Sequence, residues 1–141
     1  MIYLDNSATT LLDPAVLKAM LKDLKGPPYN PSASHKLGRQ AFALLMAARE
    51  KIASLFKVQP EEIIFTASAT EALNLVLRSQ VGPGGHLISS ELEHNAVYNT
   101  ALELEKKGAK VTFLAPQKAG AVQSDQAEEA ILQAQKNGLP T

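Results

Sequence analysis

Apolar positions between Lys36 and Lys57 recur at three- and four-residue steps: Leu37, Ala41, Leu44, Leu45, Ala48, Ile52 and Leu55. That period predicts a long helix with one buried face. Upstream, Ile2-Tyr3-Leu4 is a short extended run that ends in the turn-forming residues Asp5-Asn6-Ser7. Asp13-Pro14 predicts a helix start, with Asp capping free N–H groups and Pro in the first turn, where its missing N–H is not needed. That helix should run to about Lys25 and stop at Gly26-Pro27-Pro28, and Pro27, Pro28 and Pro31 make the segment to Ser34 an irregular loop.

Beyond Pro60 the period changes. Ile63-Ile64-Phe65-Thr66 reads as a buried strand, Ala67-Ser68-Ala69-Thr70 as a small-residue turn, and Glu71-Ala72-Leu73-Asn74-Leu75-Val76-Leu77 as the start of a helix. After the break at Gly82-Pro83-Gly84-Gly85 come a strand from His86 to Ser89, a helix near Asn95 to Lys107, a strand from Lys110 to Leu114 and a helix near Asp125 to Asn137. Such alternation predicts an α/β fold with a parallel sheet and helices on its faces. Gly138-Leu139-Pro140-Thr141 looks like a loop leading into another strand, so a fragment or half of a split protein is expected.

Composition narrows the class. In 141 residues, 45% are hydrophobic and 20% charged, which excludes global disorder. Fourteen basic and fourteen acidic side chains cancel, and no basic cluster stands out, so neither nucleic acid nor a membrane surface is an expected partner. With no Cys there is no disulfide framework, and His35, His86 and His94 lack ligand spacing, so no metal site is expected. Asp5 comes too early for a signal peptide and no apolar run approaches a membrane span, which leaves a cytoplasmic protein as the expectation.

Three segments carry candidate chemistry. Small residues at Ser68-Ala69-Thr70 let a ligand approach the backbone at a helix N-terminus, whose free N–H groups suit a phosphate; simple helix capping by Ser or Thr is the alternative. Glu91-Leu92-Glu93-His94-Asn95 follows a strand at the end where α/β proteins place ligands, and His94 is either a ligand-facing residue or a solvated loop His beside a capping Asn95. Asn30-Pro31-Ser32-Ala33-Ser34-His35 is either a ligand-contacting loop or a turn whose Ser34 caps the long helix.

In their order along the chain these signals combine. Tyr3-Leu4-Asp5-Asn6-Ser7-Ala8-Thr9-Thr10, Asn30-Pro31-Ser32 with His35 and Gly38, Phe65-Thr66-Ala67-Ser68-Ala69-Thr70-Glu71-Ala72-Leu73-Asn74, and Glu93-His94-Asn95-Ala96-Val97 resemble the N-terminal third of cysteine desulfurases. These are pyridoxal 5′-phosphate enzymes of the class V aminotransferase family. The resemblance covers essentially the whole chain and is less specific for cysteine than for the superfamily. Selenocysteine lyases, aminotransferases of the class and a non-catalytic partner-binding remnant therefore stand as alternatives.

The resemblance implies part of a fold-type-I large domain, whose complete form is a seven-stranded, mostly parallel sheet. Residues 1–60 would contribute two helices to the small domain and the active-site edge, and residues 61–141 the first βα units of the cofactor-binding domain. It implies that Ser68, Ala69 and Thr70 hold the cofactor phosphate and that His94 stacks on the pyridine ring and moves protons. It also implies that Asn6, Ser7 and Ala8 lie near the substrate. The family reaction converts L-cysteine to L-alanine and passes sulfur to an enzyme cysteine, in a homodimer that serves a sulfur-acceptor protein. The family's cofactor-binding lysine, pyridinium-pairing aspartate, nucleophilic cysteine and substrate-carboxylate arginine match nothing here. Ser34-His35-Lys36 lacks the spacing of the lysine motif, and Lys36 is expected to be a solvated helix residue. These residues alone are therefore expected to be inactive, and marginal, aggregated or partner-dependent in isolation.

Overall fold

The computed structural model describes residues 2–27, 30–118 and 120–139, and the expectations at Pro28 and at Pro140-Thr141 lie outside them. The chain forms two compact units, Met1–Ile64 and Phe65–Thr141.

In the first unit, Tyr3 organises the opening turn: its hydroxyl donates to the carbonyls of Asp5 and Thr9, each at 3.0 Å. Helix α1 spans Pro14–Leu24, and the Asp13 carboxylate caps it by accepting from the Ala15 N–H at 2.7 Å, as Asp-Pro predicts. Helix α2 spans Lys36–Phe56. Its cap is His35, not the expected Ser34: His35 Nδ1 accepts from the Gly38 N–H at 3.3 Å. The Ser34 carbonyl instead accepts from the Arg39 guanidinium at 2.6 Å, which holds that residue one step outside the helix. The Asn30 side chain accepts from the Ser32 N–H at 2.9 Å, and the turn so formed lies directly on Gly38. A Cβ at Gly38 would stand 2.0 Å from the Ala33 carbonyl oxygen, so only glycine permits this approach. As expected, Lys36 is exposed.

The buried face of α2 is narrower than its pattern predicts. Gly38, Ala41 and Ala53 are buried and Leu37, Leu45 and Ile52 half-buried, whereas Leu44, Ala48 and Leu55 are exposed. On α1 no residue is buried, and Val16, Leu17, Met20, Leu21 and Leu24 all face outward.

In the second unit, helix α3 spans Ala69–Gln80, strand β1 His86–Ser90, helix α4 Asn95–Lys106, strand β2 Lys110–Leu114 and helix α5 Ser124–Lys136. The strands pair in parallel, with His86 opposite Lys110 and Ser90 opposite Leu114. Side chains alternate across a strand. Phe113 meets Tyr98 of α4, with ring centroids 4.8 Å apart, while His86 and Ile88 face Ile131 and Gln135 of α5. The two helices thus cover opposite faces of the sheet. Ala96, Thr100, Ala101 and Leu104 make the buried stripe of α4, at helical spacing. Gly108, at φ 95°, closes the turn from α4 into β2, and its carbonyl accepts from the Gly84 N–H at 2.9 Å.

The expected buried strand at Ile63–Thr66 does not form, and the extended run at Ile2–Leu4 joins no sheet. Ile63 keeps extended dihedrals (φ −91°, ψ 119°), but it pairs with no strand among the described residues, and Ile64 is 68% exposed. A β conformation without a neighbouring ladder is only an extended segment. Among the described residues, the core hydrophobics are alanines and Leu104.

These uncovered apolar faces predict self-association. The purified chain should sediment as a species larger than 15.1 kDa and bind an apolar dye. A monodisperse monomer would show that the faces are harmless. The sheet itself carries a titratable group. His86 Nε2 lies 2.8 Å from Thr112 Oγ1, and its Nδ1 is buried without a partner among the described residues. Burial, then the Lys110 ammonium, lowers its pKa below the ordinary 6.5. Protonation is easier in the unfolded chain, so stability should be full above about pH 6.5 and fall as the pH drops from there toward the folded-state value. Thermal midpoints between pH 7.5 and 5.5 check this, and His86→Gln should flatten the slope.

Candidate functional site

The polar residues at the head of the second unit are set by capping. Ser68 has extended dihedrals, and its Oγ accepts from the Glu71 N–H at 3.2 Å, so the capping alternative is realised. The Glu71 carboxylate turns back to accept from the Ala67 N–H at 2.6 Å, and Thr66 Oγ1 donates to the Ser68 carbonyl at 3.1 Å. Capping does not exhaust the donors. Ala69 and Thr70 occupy the first two positions of α3, where no intrahelical acceptor exists. Their N–H groups and the Thr70 hydroxyl have no acceptor among the described residues.

His94 caps α4. Its Nδ1 accepts from the Ala96 N–H at 3.1 Å, which assigns the neutral ring's proton to Nε2, a nitrogen without a partner among the described residues. His94 and Asn95 are exposed, and the cap is His94 itself rather than Asn95. Ser90 at the end of β1 fixes the approach to it, with Oγ bonded to the Leu92 N–H and to the Glu93 carboxylate.

What brings the two turns together is a polar seam. Asn74 Nδ2 donates to the Thr70 carbonyl at 3.0 Å and to the Ala96 carbonyl at 3.4 Å. Its Oδ1 accepts from Thr100 Oγ1 at 2.8 Å and from Arg78 Nε at 3.1 Å. One turn further on, Arg78 pairs with Glu103 at 2.7 Å, and that bond and charge hold the Glu103 carboxyl below its ordinary pKa. Asn74 against Thr100 and then Arg78 against Glu103 means that α3 and α4 run parallel, with their N-termini at the same end. Since α4 follows β1, that end is the carboxyl end of the strands. Two helix dipoles there favour an anion.

Ser68, Ala69, Thr70 and His94 therefore share one end of one unit. Asn6, Ser7 and Ala8 belong to the other unit, in a turn closed by Ala8 and Thr9 N–H bonds to the Asp5 carbonyl. Asn74 and Thr100 have no role assigned from the sequence. The available signal is the four-residue step from Thr70 to Asn74, together with an asparagine inside a helix, where its propensity is poor.

A pair of parallel strands sandwiched by helices, with two helix N-termini at their carboxyl end, places the unit among the fold-type-I α/β transferases, whose solved structures it matches. The chain is 34% identical to a NifS-like protein over 91% of its length, with a TM-score of 0.79. A structure described as SspA in complex with cysteine gives 37% identity and a TM-score of 0.79, again over 91% of the chain. Residues 2–137 match the aminotransferase class-V family, and the chain belongs to that family. It is 42% identical to the cysteine desulfurase IscS of Salmonella paratyphi B, over 92% of this chain and 34% of that protein. The chain thus spans about a third of the length of the curated relatives it matches. The family depends on pyridoxal 5′-phosphate. The free N–H groups of Ala69 and Thr70 and the Thr70 hydroxyl suit its phosphate. Among the described residues no helix is long and apolar enough to cross a membrane.

The capping bond is separable from any anion role. Ser68→Ala should destabilise the second unit by about 1 kcal/mol, and Ser68→Asn should restore most of it. Chemical denaturation followed by circular dichroism measures both.

Proposed function

We propose that these residues form the cofactor-facing part of a pyridoxal-phosphate-dependent cysteine desulfurase, at the N-terminal end of its fold. The reaction is conversion of L-cysteine to L-alanine, with sulfur passing to a cysteine that this sequence does not contain. The observation that carries the proposal is the side-by-side alignment of the Thr70 and His94 turns at the carboxyl end of the strands.

The cofactor, when bound, supplies an electron sink for the substrate carbon. The Ala69 and Thr70 N–H groups and Thr70 Oγ1 would hold its phosphate with charge-assisted hydrogen bonds, reinforced by the two helix dipoles. His94 would hold the cofactor's pyridine ring. The bond from the Ala96 N–H to Nδ1 fixes the imidazole plane, so Nε2 carries the ring proton that His94 would pass on. Asn6, Ser7 and Ala8 border the substrate. Residues 1–60 belong to the small-domain side and residues 61–141 to the cofactor-binding domain. The working enzyme is a cytoplasmic homodimer that delivers sulfur to an acceptor protein.

With no Cys in the chain, these 141 residues alone carry out no sulfur transfer. Mixed with pyridoxal 5′-phosphate and L-cysteine they should release no sulfide, and cofactor-dependent sulfide release would sink the proposal. Thr70→Ala should weaken pyridoxal 5′-phosphate binding by about 1–3 kcal/mol, measured by equilibrium dialysis. His94→Ala should weaken binding of pyridoxal 5′-phosphate but not of inorganic phosphate, because only the former offers a ring. Equal affinities in all three proteins would return both turns to plain helix capping.

A further inference from the structure

We infer that Asn74 is a positioning residue that sets the register of the phosphate-binding turn against the His94 turn, with Thr100 as its support. The inference rests on the proposed cofactor site.

The geometry is specific. Thr70 and Ala96 are each the second residue of their helix, and the two hydrogens of Asn74 Nδ2 go to those two carbonyls. One amide group thus joins equivalent points of α3 and α4. Its oxygen takes the Thr100 hydroxyl and the Arg78 guanidinium, so both donors and both lone pairs are used. Thr100 is 3% exposed, the one buried polar residue among those described, and its hydroxyl also lies 2.8 Å from the Ala96 carbonyl. With a single hydrogen to share, it anchors Asn74 to the same turn of α4 that His94 caps. Bonds that span two elements inside a packed seam fix their relative height more tightly than apolar contact, which tolerates sliding. A shift of α3 by one turn would carry Thr70 along its axis by about 5.4 Å and separate its N–H groups from the His94 ring. The Arg78–Glu103 pair cannot do this alone, because both side chains are long and largely exposed.

The test is hydrogen exchange of the full chain, read peptide by peptide, with and without inorganic phosphate and pyridoxal 5′-phosphate. In the wild type, pyridoxal 5′-phosphate should slow exchange in the first turns of both α3 and α4. In Asn74→Ala, protection of α3 should persist with affinity reduced about tenfold, protection of the first turn of α4 should vanish, and β2 and α5 should exchange as before. General loss of stability would move all of these together, so the selective uncoupling separates positioning from a purely structural role. Thr100→Ser should behave as the wild type and Thr100→Val should uncouple partly. If Asn74→Ala exchanges throughout, Thr100→Val decides: protection of both turns as in the wild type overturns the inference. Unchanged coupling in Asn74→Ala also overturns it. If the wild type binds neither probe, the cofactor site is wrong; ligand-free exchange then decides Asn74, and an unaltered first turn of α4 in Asn74→Ala overturns its role.

Discussion

The second unit depends on one side-chain amide. Between α3 and α4 the contact is not a dry seam of interlocking apolar residues. It is a hydrogen-bonded strip in which Asn74 meets Thr70, Ala96, Thr100 and Arg78. A half-buried amide with every donor and acceptor satisfied contributes a modest net stability, but leaving one of its partners unsatisfied is costly. That asymmetry makes the strip selective for one register. The register in turn decides that two helix N-termini, each with free or capped N–H groups, stand at the same end of the strands.

Placing the site there has consequences for how the rest of the unit is built. Ser68 and His94 both cap helices, so a side-chain hydrogen bond ties each turn to its helix without a ligand. Donors tied in this way bind an anion without first paying the entropy of ordering loops. Among the described residues the sheet behind them has two strands, held on one face by Tyr98 against Phe113 and on the other by α5. Few large side chains close the core, and most of the apolar faces of α1 and the 63–66 segment point outward. The chain spans about a third of its relatives' length, and these apolar faces are uncovered in it.

Much was legible in the residues themselves. Asp13-Pro14 started α1 as expected, the periods of α2, α4 and α5 and the strand at Lys110–Leu114 appeared where the pattern put them, and strand–helix alternation gave parallel pairing. Each rests on local physics: capping, a 3.6-residue period, a short β-branched or aromatic run. The ordered motifs identified the class V family, and the family match agrees. Two local inferences failed, each for its own reason. Ile63–Thr66 has strand composition but no partner, and Ser34 has capping chemistry but lost the cap to His35 once Arg39 claimed its carbonyl. The first lacks a pairing strand among the described residues; the second turns on a side chain five residues further along.

Sequence alone determined where the helices and the two paired strands fall, the capping of α1 by Asp13, and the family to which the chain belongs. These follow from short-range stereochemistry and from the order of motifs. Tertiary structure decided that α3 and α4 lie parallel in register, that Asn74 and Thr100 join them, and that the necessity of Gly38 comes from the Ala33 carbonyl. It also decided that Leu44, Ala48 and Leu55 of the apolar pattern of α2 stay exposed. Periodicity marks a face as apolar, but only the presence of a partner against that face buries it. Hydrogen bonds between residues more than twenty positions apart leave no periodic trace in the chain.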